Sequence, residues 1–493
     1  MKKKLKILLA ASEVAPFAKT GGLADVGGAL PKALKDLGHD IRVIMPQYRM
    51  INERKYVLRD VIRLQDIPVQ LGKKEIRINV KAAFIPNSKV QVYFIDHKPF
   101  FFREGLYVDS KTGKDFPDNA DRFTLFAKGT LETLKKLQWQ PDILHCNDWQ
   151  TGLIPMFLKT LYADDLFYTK IRTLFTVHNF VYQGIFPQSC LNAFNLDESF
   201  KAEDLGILQD GRCNYLQAGL ANADLINTVS ETYSQEVQSS PEFGCGMQTL
   251  LQKRKKDFYG VVNGLDESVW NPETDEHIPA PYNADDPEGK RDAKAALLER
   301  LKLDIDPSTP LIGVISRLTL QKGFDLICDV LDDLMKGDVA MVILGVGDKK
   351  YESFFKKAEK KYKTKFRYLS AFDEALAHLI AAGSDMFLMP SLQEPCGLTQ
   401  LFSLKYGTVP IVHHTGGLAD TITQFHNRKK TGNGFVFRKP QADQLLIAIK
   451  QALETYASPL LWKKLIRNGM KEDHSWKTSS NKYVQLYQKC ILK

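Results

Sequence analysis

Lys19 stands directly before Gly21-Gly22 in "KTGGLADVGGALPKAL" (residues 19–34), and Asp25 follows one turn into the helix this pattern predicts. A lysine beside a glycine turn at a helix start suits an anion. The free N–H groups and the partial positive charge of the helix N-terminus attract phosphate, and the ammonium adds a point charge. In "VISRLTLQKGFD", Arg317 follows a strand-like run and Lys322 precedes a helix-like one. Arginine pairs phosphate oxygens two at a time, and lysine adds charge. "MPSLQEPCGLTQLFSLKYG" repeats the geometry: a strand ends at Met389-Pro390, Glu394 lies in the loop, and Cys396, Gly397, Leu398 and Thr399 open a helix. Glu394 is then a carboxylate able to face positive charge developing on a ligand, or a plain partner for a helix N-terminus. Cys396 can be a nucleophile at such a terminus or an inert small hydrophobe; no His is paired with it in sequence. The six residues TGGLAD occur twice, at 20–25 and 415–420. A single Gly-Gly turn merely breaks a chain before a helix; the repetition favours two turns lining one ligand cleft.

"LHCNDWQTG" (144–152) and "TVHNFVYQG" (176–184) each end a strand-like run with polar and aromatic residues. His145, Asp148, His178 and Asn179 can face a cleft, and Trp149, Phe180 and Tyr182 can stack on a ligand or fill core. Metal chemistry finds little support. Asp304-Ile305-Asp306 lies in a Pro-flanked polar stretch and reads as a surface turn, and "LGVGDKK" (344–350) lacks the third glycine of a dinucleotide fingerprint.

The elements that must position these side chains alternate along the chain. Strands are expected at 5–11, 41–45, 76–84, 90–95, 142–145, 171–177, 225–229, 311–316, 340–344, 367–369, 386–389 and 409–412. They are short apolar runs bounded by Gly, Pro or Asn, the pattern of buried parallel strands. Helical periodicity lies between them; from 118 onward Phe123, Ala127, Thr130, Leu134 and Leu137 share one face. Alternating β and α over 493 residues predicts two doubly wound α/β domains. The break is expected near 245–262, with a polar, Pro-rich connection at 271–290 and a final helix at 479–492.

Composition narrows the function classes. With 44% hydrophobic and 25% charged residues the chain is ordinary globular material, and no apolar run approaches the ~20 residues that span a bilayer. The start "MKKKLKILLAASE" resembles a short signal peptide, but its apolar stretch is brief; a first strand with a basic lead fits better. Seven scattered cysteines without a CxxC pair suit a reducing cytoplasm. The net charge of +9 is spread out, with runs at 253–256 and 360–365 that read as solvated lysine-rich surface. No nucleic-acid recognition motif accompanies it.

Taken together, "KTGGLADVGGALPKAL", "HNFVYQG", "RLTLQKGFD", "EPCGLTQLFSLKYG" and "TGGLADTI" resemble the bacterial glycogen synthase and plant starch synthase family, in the same order and over essentially the whole chain. The resemblance implies the GT-B fold: Rossmann-like domains over 1–256, joined by a C-terminal helix at 476–493, and over 257–475, facing a central cleft. It implies glucose transfer from ADP-glucose to the non-reducing end of an α-1,4-glucan with retention of configuration, without metal or other cofactor, nucleic acid or membrane. Lys19, Gly21, Gly22 and Asp25 would then contact the donor. Arg317 and Lys322 would hold the diphosphate, and Cys396 to Thr399 would cradle sugar and phosphate. Glu394 and His178 would stand by the donor sugar, and Asp148 and Asn263 would line the cleft. Phe402 stands eight residues after Glu394, where some related enzymes carry a second glutamate, so front-face attack is expected. His413-His414 departs from the family's usual basic or small residues. A UDP-glucose-dependent relative and a catalytically silent glucan-binding protein remain as alternatives, the latter opposed by the intact Lys19, Arg317, Lys322 and Glu394.

Overall fold

A computed structural model describes residues 4–493; the lysine-rich start at residues 1–3 lies outside the described residues. The chain forms two compact units. The first runs through Val229, resumes at Ser234–Gly264 and takes in Trp476–Lys493; the second comprises Ser230–Tyr233 and Leu265–Ser475.

The first unit is built on a ten-stranded sheet. Its parallel part runs, in spatial order, Gln91–Asp96, Asp40–Pro46, Lys6–Ala10, Ile143–Asn147, Arg172–Val177, Leu225–Thr228 and Phe258–Gly260. Numbered along the chain, these strands follow the order 3-2-1-4-5-6-7, that of a Rossmann sheet with one strand added. The central strands are apolar throughout: Ile7, Leu8, Leu9 and Ala10 are buried on both faces. Register pairs Leu9 with Val43 on one side and His145 on the other.

The expected strand at 76–84 is real but of another kind. Lys74–Phe84 pairs antiparallel with Gln91–Asp96, with Ile67–Leu71 and with Arg59–Asp60. Ile67, Val69 and Leu71 point inward while Pro68 and Gln70 are exposed, the alternation of a sheet wetted on one face. Helix Asn119–Leu137 packs on this hairpin with Phe123, Ala127, Thr130 and Leu134 buried.

The second unit carries a six-stranded, all-parallel sheet in the order Phe366–Leu369, Ala340–Leu344, Leu311–Ile315, Met386–Met389, Val409–His413 and Phe435–Phe437. This is again 3-2-1-4-5-6. Two apolar clusters cover its faces. One joins the sheet to helices Phe324–Leu334, Lys349–Lys361 and Ala442–Tyr456; the other joins it to Gly289–Leu301, Glu374–Gly383 and Thr399–Lys405. Trp270 lies against the second cluster, stacked between His378 (3.8 Å between ring centroids) and Phe402 (4.1 Å).

Apart from the short segment Ser230–Tyr233, the second unit is one continuous insertion into the first. Its two ends lie together: the Leu265 N–H donates to the His474 carbonyl at 2.7 Å. Helix Trp476–Ile491 then packs on helix Gly22–Asp36 and on strands Ile143–Asn147 and Arg172–Val177 of the first unit. His145 pins it there, with Nδ1 2.9 Å from the Tyr487 hydroxyl and Nε2 2.6 Å from Thr176 Oγ1. His145 is therefore a structural residue, fully buried, rather than one facing a cleft. Burial holds its imidazole neutral, with the pKa lowered to about 3.

The basic run at 253–256 is also not wholly solvated. Arg254 donates to the carbonyls of Leu220 and Asp224 and ties a helix end to the sheet. Asp306 makes the expected surface turn, accepting from the Ser308 N–H at 2.7 Å. Among the described residues, no helix is long and apolar enough to cross a membrane, and no group of three or more His, Cys, Asp or Glu side chains is placed to hold a metal ion.

Candidate active site

In open parallel sheets, ligands bind outside the carboxyl ends of the strands, where the strand order reverses. In the first unit that reversal lies between Lys6–Ala10 and Ile143–Asn147; in the second it lies between Leu311–Ile315 and Met386–Met389. The residues singled out by sequence fall into two groups, one in each unit; in the first unit they follow the strands from Lys6–Ala10 out to Phe258–Gly260.

In the first unit the chain leaves Ala10 and reaches Glu13, whose buried carboxylate governs the Lys19–Gly22 turn. Glu13 accepts the Thr20 hydroxyl at 2.6 Å and the Gly21 N–H at 3.2 Å, and it also accepts the Thr20 N–H. Gly21 is the N-cap of helix Gly22–Asp36. A Cβ placed on Gly21 or Gly22 would meet no atom within 4 Å, so internal packing does not demand glycine here. The bare backbone leaves the helix start open to a ligand. Lys19, exposed, pairs with Asp25 at 2.6 Å.

The next strands deliver Asp148 and His178. Asp148 takes a positive φ of 58° just past Asn147, a strained setting for a non-glycine residue. Its carboxylate accepts the His178 N–H at 2.7 Å. Desolvation pushes the Asp148 pKa up to about 7, and the Glu13 charge adds to that, while the His178 hydrogen bond opposes it. The Asn147 amide donates to the Ala10 carbonyl, so its oxygen accepts from His178 Nε2 at 3.0 Å. That bond puts the proton on Nε2 and leaves Nδ1 as the lone-pair nitrogen. Burial lowers the His178 pKa to about 3, so the ring is neutral at any physiological pH. Asn263 follows the outermost parallel strand and is 4% exposed; its side-chain oxygen has no partner among the described residues.

In the second unit, Arg317 follows Leu311–Ile315, exposed, and its guanidinium makes no hydrogen bond or ion pair among the described residues. Lys322 reaches across to the adjacent loop and donates to Glu394 Oε2 at 2.6 Å. Ser391 donates to the same oxygen at 2.9 Å. Glu394 itself is only 6% exposed. Behind it, His413 Nδ1 lies 2.8 Å from the Ser391 carbonyl and Nε2 lies 3.3 Å from that of Arg438, so this histidine braces the loop.

The second TGGLAD has a different purpose from the first. A Cβ on Gly416 would lie 2.0 Å from the Glu394 carbonyl oxygen, and one on Gly417 would lie 1.9 Å from that of Cys396. These glycines let the backbone press against the Glu394–Cys396 loop, and the Gly417 N–H donates to the Glu394 carbonyl. The turn supports the loop instead of offering an open helix start. Asp420 differs from Asp25 too: it accepts from the Ser230 hydroxyl at 2.6 Å and the Glu231 N–H at 2.7 Å.

The sequence also matches known proteins. The family model for starch synthase catalytic domains matches residues 6–253, and that for group 1 glycosyl transferases matches residues 298–472. The chain is 43% identical to a glycogen synthase of Syntrophotalea carbinolica, over 99% of both chains. It is 44% identical to one of Moorella thermoacetica, over 100% of this chain and 98% of that one. The chain belongs to the glycogen synthase and starch synthase family. It is a glycosyltransferase with the GT-B fold. The catalytic domain of starch synthase IV from Arabidopsis thaliana, solved with ADP and acarbose, superposes with a TM-score of 0.89 at 32% identity, each chain fully covered. Sucrose-phosphate synthase from Thermosynechococcus elongatus shares the fold alone, with a TM-score of 0.59 at 14% identity.

In this glycogen synthase relative, Lys19, Gly21, Gly22, Asp25, Asp148, His178 and Asn263 collect in the first unit. Arg317, Lys322, Glu394, Cys396, Gly397, Leu398 and Thr399 collect in the second. Cys396 is buried, Gly397 takes a φ of 72°, and Leu398 caps helix Thr399–Lys405. The Thr399 hydroxyl is turned to the Met389 sulfur at 3.1 Å. Trp149 and Phe180 are core residues, while Tyr182 is exposed.

Two residues escaped the sequence reading. Glu13 sits between an apolar strand and a proline with no spacing partner; its signal is its place just past the first strand of a Rossmann pattern. Phe372, 84% exposed, stands on the loop after Phe366–Leu369 at the carboxyl edge of the second sheet. A bare aromatic ring at a ligand-binding edge was legible as a strand-end loop residue, but only the structure reveals its exposure.

Proposed function

We propose that this glycosyltransferase moves glucose from ADP-glucose to the non-reducing end of an α-1,4-glucan, with retention of configuration, in the cytoplasm. The observation that carries the reading is Arg317, exposed and with no guanidinium partner among the described residues, on the same strand-to-helix loop as Lys322, which donates to Glu394, at the strand-order reversal of the second unit. Two cations there suit a diphosphate, and Phe372 offers a face on which a base can stack.

The reaction breaks the bond from the sugar's anomeric carbon to the β-phosphate oxygen. It forms a bond from that carbon to an acceptor hydroxyl. Positive charge grows on the sugar and negative charge on the departing ADP. Arg317 and Lys322 stabilise the second, as fixed charges that need no reorganisation. Glu394 meets the first from within hydrogen-bonding reach of Lys322. Phe402 is buried against Trp270, so the position eight residues on contributes packing and no second carboxylate. Retention through a covalent intermediate needs a nucleophile ~5 Å from the acid. We therefore assign front-face attack, with the leaving phosphate oxygen taking the acceptor's proton. Neutral His178, Asp148 and Asn263 orient sugar hydroxyls, and no metal or other cofactor takes part.

Incubation with radiolabelled ADP-glucose or UDP-glucose, glycogen and no divalent metal tests this. Label in precipitated glucan from ADP-glucose, retained α-linkage and no glucosyl adduct on Glu394 by mass spectrometry are expected. Preference for UDP-glucose would overturn the donor assignment, and a trapped adduct would overturn front-face attack.

A further inference from the structure

The N–H groups at the start of helix Gly22–Asp36 are not all available to an anionic ligand. Those of Thr20 and Gly21 are already bonded to an internal carboxylate, Glu13, which also accepts the Thr20 hydroxyl. The two Glu13 oxygens divide the work. Oε2 takes the two backbone N–H groups, and Oε1 takes the hydroxyls of Thr20 and Tyr107, the latter at 2.8 Å. Tyr107 comes from a distant loop, and its hydroxyl also lies 2.7 Å from Ser12 Oγ.

That loop is itself fastened from below. The Asn119 amide donates to the Tyr107 carbonyl at 2.9 Å. Arg122, with no exposed surface, donates to Asn119 Oδ1 at 2.6 Å and to the Phe100 carbonyl at 2.7 Å. Its guanidinium carbon lies 5.0–5.6 Å from the ring centres of Phe101, Phe116 and Phe123. An unbroken chain of hydrogen bonds thus runs from a fully buried arginine through Asn119, Tyr107 and Glu13 to the Lys19–Gly22 turn. Charge-assisted hydrogen bonds to a desolvated carboxylate are among the stronger local restraints a protein makes.

We propose that Glu13, held by Tyr107 and the Asn119–Arg122 anchor, is the positioning residue of the Lys19–Gly22 turn: it fixes the turn's geometry before ligand arrives and occupies the Thr20 and Gly21 N–H groups. The donor's anionic end is then met by the Lys19 ammonium and the bare backbone at Gly22, not by the whole helix start. This inference rests on the donor reading given above and deepens it by separating the group that orients from the groups that bind.

The test uses full-length Glu13→Gln, Glu13→Ala and Tyr107→Phe, with Thr133→Val as a control for buried hydrogen-bond loss elsewhere in the same unit. Two readouts are taken. Amide hydrogen exchange, without ligand, follows the peptide covering residues 19–24. Steady-state kinetics separate KM for ADP-glucose from KM for maltooligosaccharide. Glu13→Ala should speed exchange at Thr20 and Gly21 and raise the donor KM roughly tenfold or more, as expected for ~1.4 kcal/mol of lost orientation, with acceptor KM little changed. Tyr107→Phe should move both in the same direction by less, and Glu13→Gln should recover part of the loss. Thr133→Val should lower Tm without touching either readout. Unchanged exchange at Thr20 and Gly21 in Glu13→Ala, or equal rises in donor and acceptor KM, would overturn the proposal. If the wild type takes no glucose from ADP-glucose, the donor reading fails, and the exchange measurement still decides whether Glu13 positions the turn.

Discussion

Asp148 and His178 are neighbours whose surroundings push them in opposite directions on the pH scale. Burial raises the carboxyl to about 7 and drops the imidazole to about 3. The histidine therefore contributes no ionisation in the working range, and the aspartate does. If the carboxylate form orients substrate, kcat/KM should fall as pH drops through about 7. Asp148→Asn should have a lower plateau and lack that limb, read from a pH–rate profile between 5.5 and 9. Stability carries the opposite sign. Folded Asp148 holds its proton up to about pH 7, whereas the unfolded residue releases it near 4. The folded state is thus penalised increasingly from about pH 4 to pH 7 and fully above that. Asp148→Asn should raise Tm at pH 8 and not at pH 4.5. At this scale the sequence was partly legible. The aspartate and histidine stood out by residue type at strand ends, but His145 stood out equally and is a brace for Tyr487. Residue type cannot tell which of two strand-end histidines is desolvated by a helix arriving from residue 476 onward.

Elements explain why one hexapeptide is written twice. The first TGGLAD opens a helix into empty space, and the second lies under the loop that carries Glu394. Gly22→Ala should cost little stability, about 1 kcal/mol or less in either direction, while raising the donor KM. Gly417→Ala must displace the Cys396 carbonyl and should lower both Tm and kcat severely, by several kcal/mol of stability where it folds at all. Circular dichroism melts paired with kinetics would separate the two cases. The buried parallel strands were readable because continuous apolar runs such as "LKILLAA" are too short for a signal peptide's core and suit a strand buried on both faces. Of the hairpin, 76–84 was readable as a strand, but Ile67–Leu71 and the antiparallel pairing were not, because half of those residues face water and the alternation is diluted by Pro68, Gln70 and several lysines. Repetition announced that both glycine turns matter; it could not say that one serves a ligand and the other a loop.

At the scale of the whole molecule, the second unit is a self-contained doubly wound domain, and the first is discontinuous. Helix Trp476–Ile491 gives the first unit the buried side chains of Trp476, Tyr483, Val484, Leu486, Tyr487 and Cys490. Cys490 also donates to the Thr173 carbonyl. Removing residues 476–493 should expose the back of helix Gly22–Asp36 and leave His145 without Tyr487. The expected outcome in scanning calorimetry is loss or strong lowering of one unfolding transition, with the second unit's transition kept. Simultaneous loss of both would mean that the two units unfold as one cooperative block.

That same helix sets an order of events during synthesis. The ribosome makes every strand of the first unit's sheet before residue 265, yet the segment that covers strands Ile143–Asn147 and Arg172–Val177 is translated only after all of Leu265–Ser475. At ~5–20 residues per second the wait is on the order of ten seconds or more. Through that interval the nascent chain carries an uncovered sheet face, while the inserted unit, continuous from Leu265 to Ser475 apart from the earlier Ser230–Tyr233, can close its own core. The part of the protein made first is the part that finishes last, and for those seconds it is the natural client of a chaperone.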